Sequence, residues 1–409
     1  MVDGDAVSCV DLREWSAEFE SLTDRVSSLF VHPKSRAHSR QYLEGLLAPI
    51  ERKNGWTIAE YVGEKEPKAM QRFLNLTSWD ADALRDLNRD YVIENLGDPE
   101  GILIADPTGF AKKGTKSAGV QRQYSGTLGR VDNCQIGTFL SWVNSAGDRV
   151  LIDRELYVPE TTWLGDRQRC AEAAIPPDLE FATRPAQVIA MIKRTIQGGL
   201  GCRWFTADEE FGQNPALRDY LENDAGIAYV MAIPKNTEFT DPSGRSVTVD
   251  DLPATRRPNT WQRRACGIGT KGYRVYDWAV IDSDRPEHQY MIRRSLDDGE
   301  LAFYHCYNPH REPTGELVRV AGTRWPIEEC FQTGKGNVGL DNYQVRLYPA
   351  WYRHITLVMV AHTFLAVLAH RHRAKKGDPH PAARTPPPSR RPTPRPTTRR
   401  SPRYGAGSA

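Results

Sequence analysis

The sequence has no closely spaced cysteine pair. None of its seven cysteines forms a Cys-x-x-Cys motif, and the spacing of His305, Cys306 and His310 fits no zinc template. A zinc-ribbon or dithiol redox protein is therefore not indicated. No charged start followed by a short apolar core resembles a secretory signal. These absences predict reduced thiols and a cytoplasmic location.

Long apolar runs are also absent. The longest, residues 355–369, is interrupted by His362 and is shorter than the roughly 20 residues that span a bilayer. We interpret it as a buried helix and expect no membrane partner. With 409 residues the chain exceeds one ordinary core, because single cores stop growing near about 250–300 residues. Two or three folding units are therefore expected.

Net positive charge is confined to the C-terminal end. Residues 371–409 hold eleven of the 54 Lys and Arg residues but only one of the 52 Asp and Glu residues, so the rest of the chain is net acidic. A nucleic acid would have to be met by local basic patches or by this end. The same residues are rich in proline and are predicted to be disordered.

Residues 1–95 show helical periodicity, with apolar positions such as Leu84, Leu87 and Val92 before a terminating glycine at 97. Basic residues are spread through this unit, which is compatible with DNA contact or with an ordinary solvated bundle. They are Lys34, Arg36, Arg40, Arg52 and Lys53.

Residues 96–225 predict a mixed α/β core. "ILIAD" indicates a strand that ends on Asp106 and leads into a basic, turn-rich loop, and "CRWFTAD" indicates a strand that ends on Asp208. Two strands and a helix over 185–199 are predicted between them. Residues 226–310 contain short strand-like runs separated by turn signals, which predict a β-rich insertion.

The segment "RWPIEECFQTGK", residues 324–335, predicts an amphipathic helix opened by Pro326. Arg324, Glu328 and Lys335 share one face of this helix, and its apolar residues lie on the other. By itself such a charged face is equally typical of solvated surface with i,i+4 ion pairs.

The two strands and the helix are compatible with a cluster of three carboxylates. If the strands of Asp106 and Asp208 are neighbours, a helix packed across their ends would bring Glu328 to them. Three carboxylates repel one another unless cations are present, and Mg²⁺ or Mn²⁺ suits such oxygen ligands. Strand-end aspartates are also common as turn caps, so the spacing alone leaves both interpretations open.

Four blocks of sequence show a family resemblance over about residues 30–370. They are "LIADPTGFAKKGTKSAGVQRQYSGTLGRVDNCQIGTFLSWV", "RELYVPETTW", "WFTADEEFG" and "RWPIEECFQTGKGNVGLDNYQVRLYPAWYRHITLVMVAHTFLAV". In these blocks the chain resembles DDE transposases of bacterial insertion sequences. The subgroup is the seven-oh-one type, related to the group with a Tyr-Arg-Glu-Lys signature.

The resemblance implies an α/β fold, with a ribonuclease-H-like mixed sheet, helices, an N-terminal helical domain and a β-rich insertion before the last catalytic acid. The boundaries we expect are 1–95 for the helical, DNA-binding region, 96–225 and 311–370 for the two parts of the catalytic core, 226–310 for the insertion, and 371–409 for a disordered basic tail.

The resemblance also implies the catalytic residues. Asp106, Asp208 and Glu328 match the family's three acids, which hold two Mg²⁺ (or Mn²⁺) ions. These ions are expected to activate a water that cleaves the transposon end, after which the freed 3′-OH attacks target DNA. The neighbouring Glu329 lies about 100° further around the helix and is not expected to be a ligand.

Further residues are assigned to DNA contact on the same basis. Arg324 and Lys335 match the signature's Arg and Lys and are expected to bind transposon-end phosphates. Lys112 and Lys113 follow Asp106 and are expected to track the DNA backbone, the alternative being a solvated loop. Tyr124 and its neighbours are as compatible with DNA approach as with a structural turn. Trp261 and Trp278, in the insertion, fit core positions better than base stacking.

Three departures from the family pattern stand out. Ala321 occupies the position of the signature tyrosine, Pro107 stands where an acid is frequent, and the end from 371 looks foreign to the family. The expected partners are the transposon terminal repeats and target DNA, with a homodimer in the synaptic complex. The alternatives are a remnant that binds DNA ends without cutting, and a sugar-cleaving enzyme that uses two carboxylates and no metal.

Overall fold

The computed structural model of the chain describes residues 8–255, 260–269 and 272–377. Its N-terminal part is helical, as predicted. The helices are α1 (Cys9–Ser27), α2 (Pro33–Leu47), α3 (Gly55–Tyr61), α4 (Lys68–Asn75) and α5 (Ala81–Leu96). Local capping fixes several of their starts: the Asp80 carboxylate accepts the Asp82 N–H at the first turn of α5, which satisfies one of the unpaired amides of a helix N-terminus.

Basic residues of this helical unit are already engaged within the protein. Arg40 forms ion pairs with Glu20 and Glu44. The side chain of Lys53 is buried and donates to the carbonyl of Ala48. Neither residue is presented to solvent as a free cation.

The central part alternates strands and helices. Its elements are β1 (Ile102–Ala111), β2 (Gln121–Ser125), β3 (Arg130–Val143), β4 (Arg149–Leu156), α6 (Arg167–Glu172), α7 (Arg184–Gln197), β5 (Trp204–Ala207), α8 (Glu209–Gly212), α9 (Pro215–Asp219) and β6 (Ala228–Ile233). A short 3-10 turn, Gly126–Leu128, joins β2 to β3. β1, β3 and β4 pair antiparallel, whereas β5 and β6 run parallel to β1.

The insertion adds β7 (Glu238–Thr240), β8 (Ser246–Thr248), α10 (Leu252–Thr255), β9 (Gln262–Gly269), β10 (Gly272–Asp282), β11 (His288–Arg294) and β12 (Leu301–Tyr307). β12 pairs with β6, so β9–β12 extend the core sheet instead of forming a separate one. β6, which we placed in the insertion, belongs to the core sheet, because its strand partner is β5. A short apolar run does not reveal its partner.

Three helices follow: α11 (Thr314–Gly322), α12 (Trp325–Val338) and α13 (Tyr348–Lys376). α13 is long and apolar enough to cross a membrane, yet 78% of its most apolar window is buried inside the protein, as predicted for a core helix. It continues to Lys376, so the expectation of disorder from 371 is wrong for residues 371–376. The rest of that expectation concerns residues 378–409, which lie outside the described residues.

Helices cover both faces of the sheet. Side chains alternate along a strand, and on β3 the Thr138 hydroxyl donates to Gln187 of α7, while Phe139 packs edge-on against Phe331 of α12. The described strands follow the order β4-β3-β1-β5-β6 in the core. This arrangement confirms the predicted fold class, a ribonuclease-H-like mixed sheet with an N-terminal helical part and a β-rich insertion.

One local prediction was wrong. β1 does not end at Asp106 but continues through Pro107 to Ala111, paired with β3. Beyond Ala105 the strand no longer pairs with β5, and proline is tolerated where one edge of a strand is open. We had interpreted Pro107 and the following glycine as turn signals.

Candidate active site

Asp106 and Asp208 are brought together by strand register. Ala105 of β1 pairs with Ala207 of the parallel strand β5, so the next residues, Asp106 and Asp208, follow at the same level on strands about 4.8 Å apart. Asp208 also caps α8, because its Oδ1 accepts the Glu210 N–H at 3.0 Å. Asp208 therefore acts as a turn cap, and its role in a site stays a prediction.

α12 supplies the third acid. Its apolar residues Ile327, Cys330 and Phe331 are buried, and Phe331 packs on Phe139 of β3, which is paired with Asp106. This packing turns Glu328 toward the aspartates. Glu329 points elsewhere and forms an ion pair with Arg149 at 2.7 Å, in agreement with its predicted position on the helix.

The three acids line one open cleft of about 570 Å³, a size typical of ligand pockets, about 300–1,000 Å³. Its floor is β1, and its walls come from the β2–β3 turn, from α8 with the start of α7, and from α12. The charged residues lining it are Asp106, Arg184, Asp208, Glu210, Arg324, Glu328 and Lys335.

The carboxylates of the cleft repel one another. Burial, followed by the charge of Asp208, raises the pKa of the Asp106 carboxyl to about 8, Glu328 and Glu210 adding to the effect and Arg324 opposing it. Such a shift marks negative charge that the protein alone does not neutralise.

Two of the predicted phosphate-binding cations lie in this cleft. Arg324 Nη2 donates to Glu328 Oε1 at 3.3 Å. Lys335 Nζ donates to Thr108 Oγ1 at 2.9 Å, and its pKa is lowered, first by burial. Both side chains are held by neighbours on the wall and floor of the cleft.

The other two predicted cations are not brought there. The Lys112 ammonium lies over the Tyr343 ring, 3.4 Å from its centroid, and burial lowers its pKa to about 7. Lys113 is exposed on the following loop. Neither residue lines the cleft.

The donor set fits hard divalent cations. Asp106, Asp208 and Glu328 offer only carboxylate oxygens, which Mg²⁺ and Mn²⁺ prefer, and an added positive charge would offset the repulsion around Asp106. In the described part of the chain no three Asp, Glu, His or Cys side chains already form a group that would hold an ion. Glu328 is instead engaged by Arg324.

Two charged residues of the cleft were missed at the sequence level. Glu210 forms an ion pair with Arg184 at 2.6 Å, and burial raises its pKa, with Asp208 contributing and Arg184 opposing. The position of Glu210, two residues after Asp208, is a sequence signal that could have identified it. Arg184, at the start of α7, has no local signal and is placed only by tertiary packing.

Of the remaining sequence candidates, Tyr124 lines the cleft, whereas Trp261, Trp278 and Ala321 do not. Trp278 is buried beside Tyr304, as predicted for a core residue. Trp261 is partly buried under the guanidinium of Arg294, 4.1 Å from the ring centroid. Ala321, at the position of the signature tyrosine, is buried in α11.

Comparison with known proteins identifies the family of the chain. Residues 25–279 match the DDE superfamily endonuclease family. The chain belongs to this family. The matched range contains Asp106 and Asp208 but ends before Glu328. The prediction that Glu328 is the third acid therefore rests on its sequence motif and on the position of α12.

Two known proteins are similar to parts of this DDE superfamily protein. A probable transposase for insertion sequence element IS701 from Microchaete diplosiphon is 28% identical over 210 residues, which are 51% of this chain and 52% of that protein. The chain thus matches about half the length of this relative, and the resemblance predicted from the sequence blocks is confirmed. The cryo-EM structure of a piggyBac transposase synaptic complex with hairpin DNA aligns with 90% of this chain and 75% of its own, at 11% identity and a TM-score of 0.45.

Proposed function

We propose that this protein is a DNA transposase, which cleaves phosphodiesters at the ends of its insertion sequence and joins the 3′-OH ends to target DNA. The observation that carries the proposal is one cleft in which Asp106, Asp208 and Glu328 lie beside Arg324 and Lys335. Acids alone would repel a phosphodiester, and cations alone would bind it without cleaving it. Both together suit phosphoryl transfer.

Each residue has a distinct part in this proposal. Asp106, Asp208 and Glu328 would hold Mg²⁺ or Mn²⁺, which supplies an activated water and stabilises the leaving oxygen. Arg324 would exchange its contact with Glu328 for a phosphate oxygen, because a guanidinium matches phosphate in a two-point contact. Lys335 is already positioned by Thr108 and would bind a second phosphate oxygen.

The partners follow from the chemistry. We propose terminal-repeat DNA and target DNA as substrates. Because each copy has one such cleft and an element has two ends, we also propose a homodimer on DNA. The probable transposase function of the IS701 relative supports the DNA substrate, and we propose a cytoplasmic location.

A pair of variants tests the proposal. Asp208→Asn keeps the shape of the side chain but removes its charge, and Glu209→Gln, at the exposed neighbouring position, is the matched control. With a duplex taken from the DNA flanking the gene and with Mg²⁺, we expect Asp208→Asn to bind but not nick, and Glu209→Gln to do both. EDTA should abolish nicking by the wild type. Nicking by Asp208→Asn at the wild-type rate would refute the assignment.

The second candidate is a remnant that binds transposon ends without cutting. The ion pair between Arg324 and Glu328, which occupies the third acid, is the observation in its favour. The same assay distinguishes the two, since a remnant binds the duplex and leaves it intact at every Mg²⁺ or Mn²⁺ concentration.

A further inference from the structure

The wall of the cleft formed by the β2–β3 hairpin has no role in the function proposed above. This wall consists of residues 124–127, which line the cleft opposite α12. β2 pairs only with β3 among the described strands and is an edge of the sheet. The turn between the two strands is open, because a Cβ added at Gly126 or Gly129 would meet no atom within 4 Å.

Tyr124 is the unusual residue of this wall. Its side chain is 64% exposed, although it lines the cleft. Within the described residues its side chain has no hydrogen bond or ring contact, whereas the side chains of Tyr343, which is buried, and Tyr352, which is partly buried, are both hydrogen-bonded. An aromatic ring left exposed beside a cleft is a candidate contact for a ligand.

The surroundings of Tyr124 define the surface. Tyr124 pairs across the hairpin with Val131, which is 53% exposed, and Arg122 pairs with Asn133. Directly paired residues and positions two apart along a strand share a face. Tyr124, Val131 and Arg122 therefore form one exposed face, which we call the hairpin platform.

Arg122 places a guanidinium on the same face as the Tyr124 ring. Arg130 at the hairpin is committed to Asp132, at 2.8 Å. In contrast, among the described residues no hydrogen bond or ion pair within 4.0 Å engages Arg122, whose charge reaches Asp132 only through space. The hairpin platform thus combines one flat apolar group with one available guanidinium.

The turn adds a hydrogen-bond donor facing the cleft. Thr108 Oγ1 accepts from Lys335 and lies 3.1 Å from Thr127 Oγ1. Thr108 is buried and shares this hydrogen bond with Thr127, either hydroxyl being able to donate. Thr127 Oγ1 also accepts the Gly109 N–H, and its exposed hydroxyl lines the same cleft as Lys335.

These observations favour a nucleotide as the occupant. The hairpin platform is one aromatic ring wide, too small for a folded protein partner, and it is continuous with the cleft that holds the acids. An aromatic face beside a guanidinium is the arrangement that binds unpaired bases and their backbone. The Thr127 hydroxyl and Lys335, which line the same cleft, are suitable partners for phosphate oxygens.

We propose that Tyr124 stacks on an unpaired nucleobase of the DNA strand adjoining the scissile phosphodiester, with Arg122 and Thr127 contacting the backbone of the same strand. This inference rests on the proposed function and names the way in which the DNA end is held. Stacking on the ring offsets part of the cost of unpairing the end.

A coupling experiment between the protein and the DNA tests the inference. A series of end duplexes is prepared, each with one abasic site at a different nucleotide around the cleavage position. The affinity of each duplex for four proteins is measured by fluorescence anisotropy. The proteins all carry Asp208→Asn, so that no cleavage occurs. They are otherwise wild type, Tyr124→Ala, Tyr124→Phe and Tyr61→Ala, the last being a matched control because Tyr61 is 51% exposed on α3.

We expect Tyr124→Ala to weaken binding of the intact end by about 5- to 150-fold, the range of one base–aromatic stack. At one abasic position the Tyr124→Ala and Tyr124 proteins should bind equally, because the base that the ring contacts is already missing. Tyr124→Phe should behave as Tyr124, and Tyr61→Ala should show no position-dependent coupling.

The outcomes separate the two proposals. Binding that is insensitive to Tyr124→Ala, or that falls equally at every abasic position, overturns the stacking role while leaving the transposase function intact. Equal coupling at Tyr61 also overturns it. If the wild-type protein with Mg²⁺ neither binds nor nicks the end duplex, the proposed function itself fails and the inference fails with it.

Discussion

Lys335 of α12 donates a hydrogen bond to Thr108 of β1, with 2.9 Å between Nζ and Oγ1. Thr108 is two residues from Asp106 and on the same face of the strand. This bond therefore connects the helix that carries Glu328 to the strand that carries Asp106. It also gives the ammonium of the partly buried Lys335 a polar partner at the floor of the cleft.

Removing the Thr108 hydroxyl should release Lys335. Thr108→Val keeps the shape but leaves the ammonium without its acceptor, a loss of about 1.5–3 kcal/mol for a hydrogen bond to a charged group. We expect end cleavage to fall about tenfold or more at that energy, with a smaller effect on stability because the ammonium can turn into the cleft. The measurement is the single-turnover rate of end cleavage. Thr108→Ser keeps the hydroxyl and should cleave at nearly the wild-type rate. Equal rates for all three proteins would contradict this role.

The two adjacent glutamates of α12 should differ sharply. Glu328→Gln removes a carboxylate of the cleft and should abolish nicking while retaining DNA binding. Glu329→Gln removes only a half-exposed pair with Arg149, worth at most about 1 kcal/mol, and should nick normally. Nicking rates and thermal unfolding of both variants check this, and loss of nicking in Glu329→Gln instead would shift the assignment by one residue.

Stability should depend on a buried arginine beneath the sheet. Arg154 is fully buried and donates to Thr356 and Asp82, with Asp153 beside it. Arg154→Met leaves the buried Asp153 with Arg194 at 2.9 Å and the more distant Arg85 at 4.0 Å, so we expect a loss of up to about 3–5 kcal/mol in the free energy of unfolding. Arg130→Met, which removes an exposed pair with Asp132, should cost no more than about 1 kcal/mol. Denaturant titrations of both variants measure the difference, and equal losses would count against the burial argument.

Acid should destabilise the protein partly through His362. Burial lowers the pKa of His362 from 6.5 to about 4, so below pH 6.5 the unfolded chain binds a proton that the folded chain excludes. The stability associated with the neutral ring is fully present above pH 6.5 and is lost as the pH falls toward 4.

The test compares unfolding free energies of two variants at several pH values. His362→Leu should reduce the decline between pH 6.5 and 4 by up to about 1.4 kcal/mol per pH unit. His32→Leu, at an exposed position, should decline as the wild type does. Parallel curves for wild type and His362→Leu would show that this ring does not titrate as described.

Several features of the site could be predicted from local sequence. Asp208 follows a short apolar strand, and the face of α12 with Glu328 is set by the spacing of Ile327, Cys330 and Phe331, because a helix repeats every 3.6 residues. Glu329 was placed away from the site by the same rule, and its pair with Arg149 agrees. Local patterns fail at Asp106, because a proline signals a turn unless the open edge of a sheet accommodates it.

Charge alone did not reveal which cations face the cleft. Lys112 and Lys113 follow Asp106 in the sequence, yet Lys112 packs on Tyr343 and Lys113 is exposed on the loop, because β1 continues to Ala111 and carries both residues roughly 20 Å along the strand from Asp106. Arg184 comes from a distant helix and lines the cleft. Its position depends on how α7 packs on β3.

The sequence by itself determined the elements: apolar periodicity and capping residues specify helices and strands over a few residues, and the family motifs lie within such elements. Only the tertiary structure decided which of them meet. The pairing of Ala105 with Ala207 and the packing of Phe331 on Phe139 join residues more than 100 positions apart. Such contacts are set by strand register and side-chain packing over the whole core, which no local pattern contains.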